Sequence, residues 1–244
     1  MIVKTIHYCW FGGGKLPDLA IKCIDSWRKF LPDYKIKRWD ESNFDINAIP
    51  YTKEAYENKK YAFVSDYVRF WVLYNEGGIY FDVDVEIIKD LTPIINKGPY
   101  LGLEKGMMCN PGLGMAADRN MFFLKECLEY YQHLSFKKED GSINYDTVVF
   151  HITHLLKKKG LKNTSEVQNI AGFFIYPQSY FCPLDYENQI LNITNDTYTV
   201  HHYNASWISP KHKLYRWIKT KIGDKFARKC SDFYYLIFRR NEAV

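Results

Sequence analysis

The 244-residue chain contains no stretch close to the roughly 18 consecutive apolar residues that cross a membrane. Its first residues, Met1 to His7, show no charged segment followed by a longer apolar run, so a secretory leader is not expected. No internal repeat and no Gly/Ser-rich linker divides it. The six cysteines form no C-x-x-C pair, which removes the usual zinc signature and leaves reduced thiols as the simplest state. Four N-x-S/T sequons, starting at Asn163, Asn192, Asn195 and Asn204, read as incidental in an Asn-rich chain without a leader. These absences predict a soluble, cytoplasmic protein with one main domain, 1–210, and a C-terminal segment, 211–244.

What is present is an ordinary globular composition, 47% hydrophobic and 25% charged, which argues against disorder and fibrous architectures. Aromatics are in excess: 20 Tyr, 16 Phe and 6 Trp can build a core and also offer faces to bases or sugar rings. The net charge of +5 suits an anionic partner. Hydrophobic spacing predicts strands over 2–10, 36–39, 79–87, 173–176 and 197–202. A helix is predicted with Pro17 in its first turn and Ala20, Cys23, Ile24, Trp27 and Leu31 on one face. Further helices are predicted over 62–76, stopped by Gly77-Gly78, over 121–134 and over 146–159. Strands alternating with helices predict an α/β sheet covered by helices.

The predicted strand 79–87 carries the chemistry. Its period of two puts Ile79, Phe81, Val83, Val85 and Ile87 on one side and Tyr80, Asp82, Asp84 and Glu86 on the other, with neighbouring carboxylates about 7 Å apart. No Lys or Arg separates the three acids. Such a cluster repels itself unless a divalent cation lies between its members. A hard ion such as Mg²⁺ or Mn²⁺ takes carboxylates, waters and substrate phosphates. The solvated edge of an antiparallel sheet would look the same, because D-x-D is short and common. Asp66 and Arg69 share a face of the preceding helix among Tyr67, Phe70 and Trp71, either as a local ion pair or as a pair held partly from water. His201-His202, ahead of Ser206 and Trp207 at a strand end, is a candidate for binding metal or phosphate.

The block Phe63-Val64-Ser65-Asp66-Tyr67-Val68-Arg69, followed by Gly77-Gly78-Ile79-Tyr80-Phe81-Asp82-Val83-Asp84, resembles the centre of the family 32 glycosyltransferases with the DXD sugar-binding motif. That family is distantly like the large glucosylating toxins. Segments 6–13, 175–183 and 201–207 resemble its first strand and closing segments. The resemblance implies an α/β fold of the GT-A type: a mixed, mainly parallel sheet flanked by helices, binding a nucleotide-sugar at the C-terminal ends of its first strands. It also implies retaining transfer with Mn²⁺ or Mg²⁺. By motif position, Asp82 and Asp84 are the D-x-D carboxylates, with Asp84 on the ion and Asp82 on it through water or on the donor's ribose. His202 is the preferred third metal ligand and His201 the runner-up. Trp10 lies near the nucleobase or packs in the core. Asp66 and Arg69 hold the donor sugar hydroxyls with Tyr80 beside them, and Ser206 and Trp207 cover the diphosphate. Glu104 and Asn110, with Gly112 and Gly114, border the acceptor. Nothing in the sequence marks a covalent nucleophile, so double displacement and front-face attack both stay open.

Between Lys211 and Arg240, ten Lys or Arg stand against two Asp, with Leu214, Trp217, Ile218 and Ile222 at helical spacing. Two readings stand: an amphipathic surface that meets anionic lipid, or a helix packed on the domain with a solvated basic face. No nucleic-acid motif accompanies the charge, so no nucleic acid is expected. The expected protein is a metal-dependent retaining transferase that moves a hexose from a nucleotide-diphosphate sugar, UDP-sugar favoured. Its acceptor would be a saccharide or lipid-linked saccharide in capsule or other surface-polysaccharide synthesis, at the inner face of the membrane. A transferase acting on protein, a metal-dependent phosphohydrolase and a binding protein with an inert site are the competing readings.

Overall fold

The computed structural model describes residues 2–186 and 188–203. The elements run in the order β1 (Thr5–Cys9), α1 (Asp18–Phe30), β2 (Lys35–Trp39), α2 (Pro50–Glu57), α3 (Tyr61–Glu76), β3 (Gly78–Tyr80) and β4 (Val85–Ile87). There follow α4 (Thr92–Ile95), β5 (Tyr100–Glu104), β6 (Met108–Asn110), β7 (Met115–Ala117), α5 (Phe122–Gln132) and α6 (Val148–Lys158). The last are β8 (Gln168–Ile170), β9 (Phe173–Tyr176), α7 (Gln178–Phe181), β10 (Leu184–Asp185), β11 (Ile190–Leu191) and β12 (Thr199–His201).

The main sheet has the order β2-β1-β3-β7-β5-β9-β8, with β6 also on β5. Strands β2, β1 and β3 are parallel, β7 runs against both β3 and β5, and β9 runs with β5. Five strands therefore point the same way, against β6, β7 and β8. This is the mixed, mainly parallel sheet flanked by helices that the resemblance implies. Alternate residues feed two core clusters: Cys9 and Tyr80 join α2, α3, α5 and α6 on one face, and Tyr8 and Ile79 join α1 on the other. The C-terminal ends of β1, β3 and β5 thus bring Cys9, Tyr80 and Glu104 to one edge.

Local causes are plain for most elements. Helix α1 buries Ala20, Cys23, Ile24 and Trp27, the predicted stripe, and Trp27 Nε1 donates to the Val85 carbonyl at 2.7 Å. Helix α3 is apolar on most of its circumference because it is sandwiched between sheet and neighbouring helices, and it ends at Gly77, whose φ of +64° favours glycine. The single strand expected over 79–87 is instead two. The Phe81 and Asp82 amides bond to the His7 and Gly112 carbonyls, and then the Val85 amide folds back onto Asp82 O at 3.1 Å. That reverse turn breaks the pleat between β3 and β4. Three- to five-residue pieces such as β5 to β7, and the Pro50-led α2, have no period long enough to be read from sequence.

His7 is fully buried and fastens β1 to its neighbours. Its Nδ1 accepts from Trp39 Nε1 at 3.0 Å, so its proton sits on Nε2 and goes to the Gly77 carbonyl at 2.9 Å. Burial pushes its pKa down to about 4 against the weaker opposing pull of Gly77 and Glu76. Below the ordinary value the unfolded chain takes the proton and the native chain does not, so this stability is lost as pH falls from about 6.5 towards 4. We expect urea unfolding to show wild type losing about 2 kcal/mol more than His7→Gln between pH 7 and pH 5. Equal losses would show that His7 titrates as it does in the unfolded chain.

Candidate active site

A cavity of about 830 Å³ opens at the C-terminal edge, lined among others by Trp10, Asp66, Arg69, Tyr80, Asp82, Asp84, Glu104, Asn110 and His201. Its floor is a charge cluster. Arg69 Nη2 lies 3.0 Å from Asp66 Oδ1 and 3.4 Å from Asp82 Oδ1, while Tyr80 Oη donates to the same Asp82 oxygen at 2.9 Å. The guanidinium also lies 4.9 Å from the centre of the Tyr80 ring. Asp66 and Arg69 are only 6% and 3% exposed, so the sequence pair is an interior one. Burial raises the Asp66 carboxyl to about 7, although Arg69 and the Val148 amide, which reaches Asp66 Oδ2 at 3.3 Å, oppose it. Burial works against the Arg69 charge too, but Asp82, Tyr80 and Asp66 raise its pKa overall.

Asp82 is seated by a glycine. Its amide bonds the Gly112 carbonyl, and a Cβ on Gly112 would collide with Asp82 Oδ2. Gly112 is in turn held by Asn110, whose Oδ1 accepts the Gly112 amide at 2.8 Å. The sequence gives no sign of this partnership, since it joins residues from two separate strand ends.

The histidines part company. Strand β12 pairs antiparallel with β4, His201 opposite Val85, and His201 Nε2 reaches Asp84 Oδ1 at 3.2 Å in the cavity. Burial lowers the His201 pKa, but the charge of Asp84 and the hydrogen bond that His201 donates to that carboxylate raise it further, well above the ordinary value. His202 turns away to Glu86 at 2.8 Å, where Lys22 also pairs at 3.0 Å. Of the two histidines it is thus His201, the runner-up, that lines the cavity, because successive residues on an extended chain point to opposite sides. For the same reason, and because of the turn at Asp82, Glu86 does not join the two aspartates. Among the described residues no three His, Cys, Asp or Glu side chains already converge as a metal cage. The donor chemistry of Asp82, Asp84 and His201 nevertheless fits a hard or borderline divalent ion, which usually keeps several ligands from water and substrate phosphate. Among the described residues the buried His201 Nδ1 has no hydrogen-bond partner, and Nε2 is the ring nitrogen that meets Asp84.

Trp10 stands half-buried at the end of β1, its Nε1 donating to Gly14 O at 2.7 Å, and its ring lines the cavity. Tyr61, at the start of α3, also lines it and packs where a Gly12 side chain would be. Tyr61 and Tyr203 were missed by motif reading, since aromatic residues are too common here to stand out. Ser206, Trp207 and the basic segment 211–240 lie outside the described residues. The groups present suit a ligand with hydroxyls and flat faces, which Asp, Arg and aromatic rings recognise.

Residues 17–101 match the family model described as "Glycosyltransferase sugar-binding region containing DXD motif". The chain is 32% identical over 99 residues to inositol phosphoceramide mannosyltransferase 3 of Schizosaccharomyces pombe, covering 39% of this chain and 28% of that protein. It is 28% identical over 140 residues to mannosyl phosphorylinositol ceramide synthase SUR1 of Saccharomyces cerevisiae, covering 54% of this chain and 36% of that protein. The chain thus spans about a third of the length of these curated relatives. It also overlays on a crystal structure of a glycosyltransferase involved in the glycosylation of the major capsid of PBCV-1, at 10% identity and a TM-score of 0.48, over 80% of this chain and 92% of that one. The matched region, residues 17–101, contains Asp66, Arg69, Tyr80, Asp82 and Asp84 of the cavity.

Removing Arg69 strands two carboxylates. We expect Arg69→Met to lower unfolding free energy by about 3–5 kcal/mol, measured in urea, and the added change Asp66→Asn to recover part of it. A loss below about 1 kcal/mol would mean that water reaches the pair and screens it.

Proposed function

We propose that the protein is a metal-dependent glycosyltransferase that moves a hexose from a nucleotide-diphosphate sugar to a saccharide or lipid-linked acceptor. The carrying observation is that one cavity holds the Asp82/Asp84 turn with His201 on one side and the buried Asp66–Arg69 pair on the other. Asp82, Asp84 and His201 are the residues that would hold Mn²⁺ or Mg²⁺, which when bound supplies positive charge to a departing diphosphate. Asp66 and Arg69 bind and orient the donor's sugar hydroxyls, and Asp82 is kept aimed by Tyr80 and Gly112. Trp10 and Tyr61 offer ring faces to the base. Ser206 and Trp207 belong to this reading as the cover over the diphosphate.

Uridine is the favoured base on the motif resemblance, and retention of configuration and a surface-polysaccharide context rest on the same resemblance. Two relatives named for mannosyl transfer to an inositol phosphoceramide support a hexose donor and a lipid-linked acceptor, and make guanosine the alternative base. Among the described residues no helix is long and apolar enough to cross a membrane. Contact with a membrane surface, on the cytoplasmic side, is assigned to segment 211–240.

Thermal unfolding with UDP, GDP and CMP, each with Mn²⁺ or a chelator, tests the donor site. A nucleotide at a hundred times its Kd adds about 2.7 kcal/mol, or about 5–10 °C for a chain of this size. We expect a metal-dependent rise with one nucleotide, its loss in Asp84→Ala, and a larger loss in His201→Ala than in His202→Ala. A rise unaffected by chelator and by Asp84→Ala would sink the metal reading. Phosphate release from simple esters, with no transfer, would favour a hydrolase instead.

A further inference from the structure

We infer that Glu104 is the acceptor-side anchor of the cavity: it accepts a hydrogen bond from a hydroxyl of a polyol or saccharide acceptor. The inference rests on the donor-site reading above and adds the second substrate to it. Glu104 ends β5, so it emerges at the same edge as the donor-side groups on β1 and β3, and it lines the same cavity. Its Oε2 receives two hydrogen bonds, from Asn110 Nδ2 at 2.8 Å and from Tyr203 Oη at 3.2 Å. With both donors on one oxygen, the carboxylate is held in a fixed orientation. Oε1 makes no hydrogen bond among the described residues and is not among the sealed polar atoms.

The surroundings select a neutral, hydroxyl-bearing partner. Among the described residues no cation pairs with Glu104, and the neighbouring Lys105 reaches Asp185 instead. An unneutralised carboxylate repels a diphosphate, whereas a carboxylate accepts strongly from a hydroxyl. Tyr203 is itself fixed as a donor to Glu104, because its ring packs 4.8 Å from that of Tyr186 and 4.1 Å from that of His201. Asn110 couples the two sides, because the amide that orients Glu104 also holds Gly112, against which Asp82 is seated. Asn110 is a positioning residue here, and Glu104 is the one that touches the acceptor.

The test uses the full chain with Mn²⁺ and labelled UDP-glucose, UDP-galactose or GDP-mannose, offered p-nitrophenyl glycosides as acceptors. Transfer to the glycoside and transfer to water are read in the same reaction, beside the nucleotide-induced shift in unfolding temperature. For Glu104→Gln we expect the ratio of glycoside product to hydrolysed donor to fall about 10- to 100-fold, the worth of one charge-assisted hydrogen bond. The fall should come through the acceptor KM, with the donor KM little changed. Glu104→Asp should fall between the two, and Asn110→Ala should raise the acceptor KM by less than Glu104→Gln. An unchanged ratio in a folded Glu104→Gln protein overturns the inference. So does a loss of hydrolysis in step with transfer, which would put Glu104 on the donor. If wild type itself shows no nucleotide shift, the donor-site reading has failed; a normal shift with an unchanged ratio defeats the acceptor assignment alone.

Discussion

The guanidinium of Arg69 sits out of water between two carboxylates, one from its own helix and one from the turn after β3. Burial pushes the Asp66 carboxyl up to about 7 even with Arg69 opposing it. A buried charge cluster of this kind is weak as a source of stability, since desolvation consumes most of the attraction. Its value lies in position. Arg69 lies over the Tyr80 ring, shares Asp82 with the Tyr80 hydroxyl, and so ties α3 to the acidic turn. Strongly perturbed titratable groups facing a cavity are where chemistry concentrates.

The rest of the site follows from strand direction. Because β7 runs opposite to both β3 and β5, those two strands end at the same edge as β1, and residues far apart in sequence meet there. The fourth side is closed by β12, which pairs with β4 and not with the main sheet. That pairing carries His201 to Asp84 and Tyr203 to Glu104. Gly112 completes the arrangement by being small, since any side chain there would displace the Asp82 carboxylate. Glu104 and Asp82 are thereby linked through Asn110 and Gly112, so a change at Glu104 can be felt at the acidic turn.

Much of this was legible in the residues alone. Helices α1, α3, α5 and α6 and strand β9 follow their periods closely, and Asp66, Arg69, Tyr80, Asp82 and Asp84 stand in one dense motif block. The short strands β5 to β7 were not legible, because three to five residues do not establish a period. Nor was the role of His7, whose partners Trp39 and Gly77 lie on other elements.

By itself the sequence determined the composition of the site: an Asp–Arg pair on a helix, two aspartates within a predicted strand, paired histidines at a later strand end, and aromatics throughout. Only the tertiary structure decided which members of each pair serve the cavity. The Asp82 turn separates Glu86 from Asp82 and Asp84, and the alternation of β12 sends His201 inward and His202 to Glu86. Those outcomes depend on which backbone groups of β1, β12 and the Gly112 loop accept and donate to residues 81–86. Local periodicity cannot encode such choices, because the hydrogen-bond partners that make them come from elements distant in the chain.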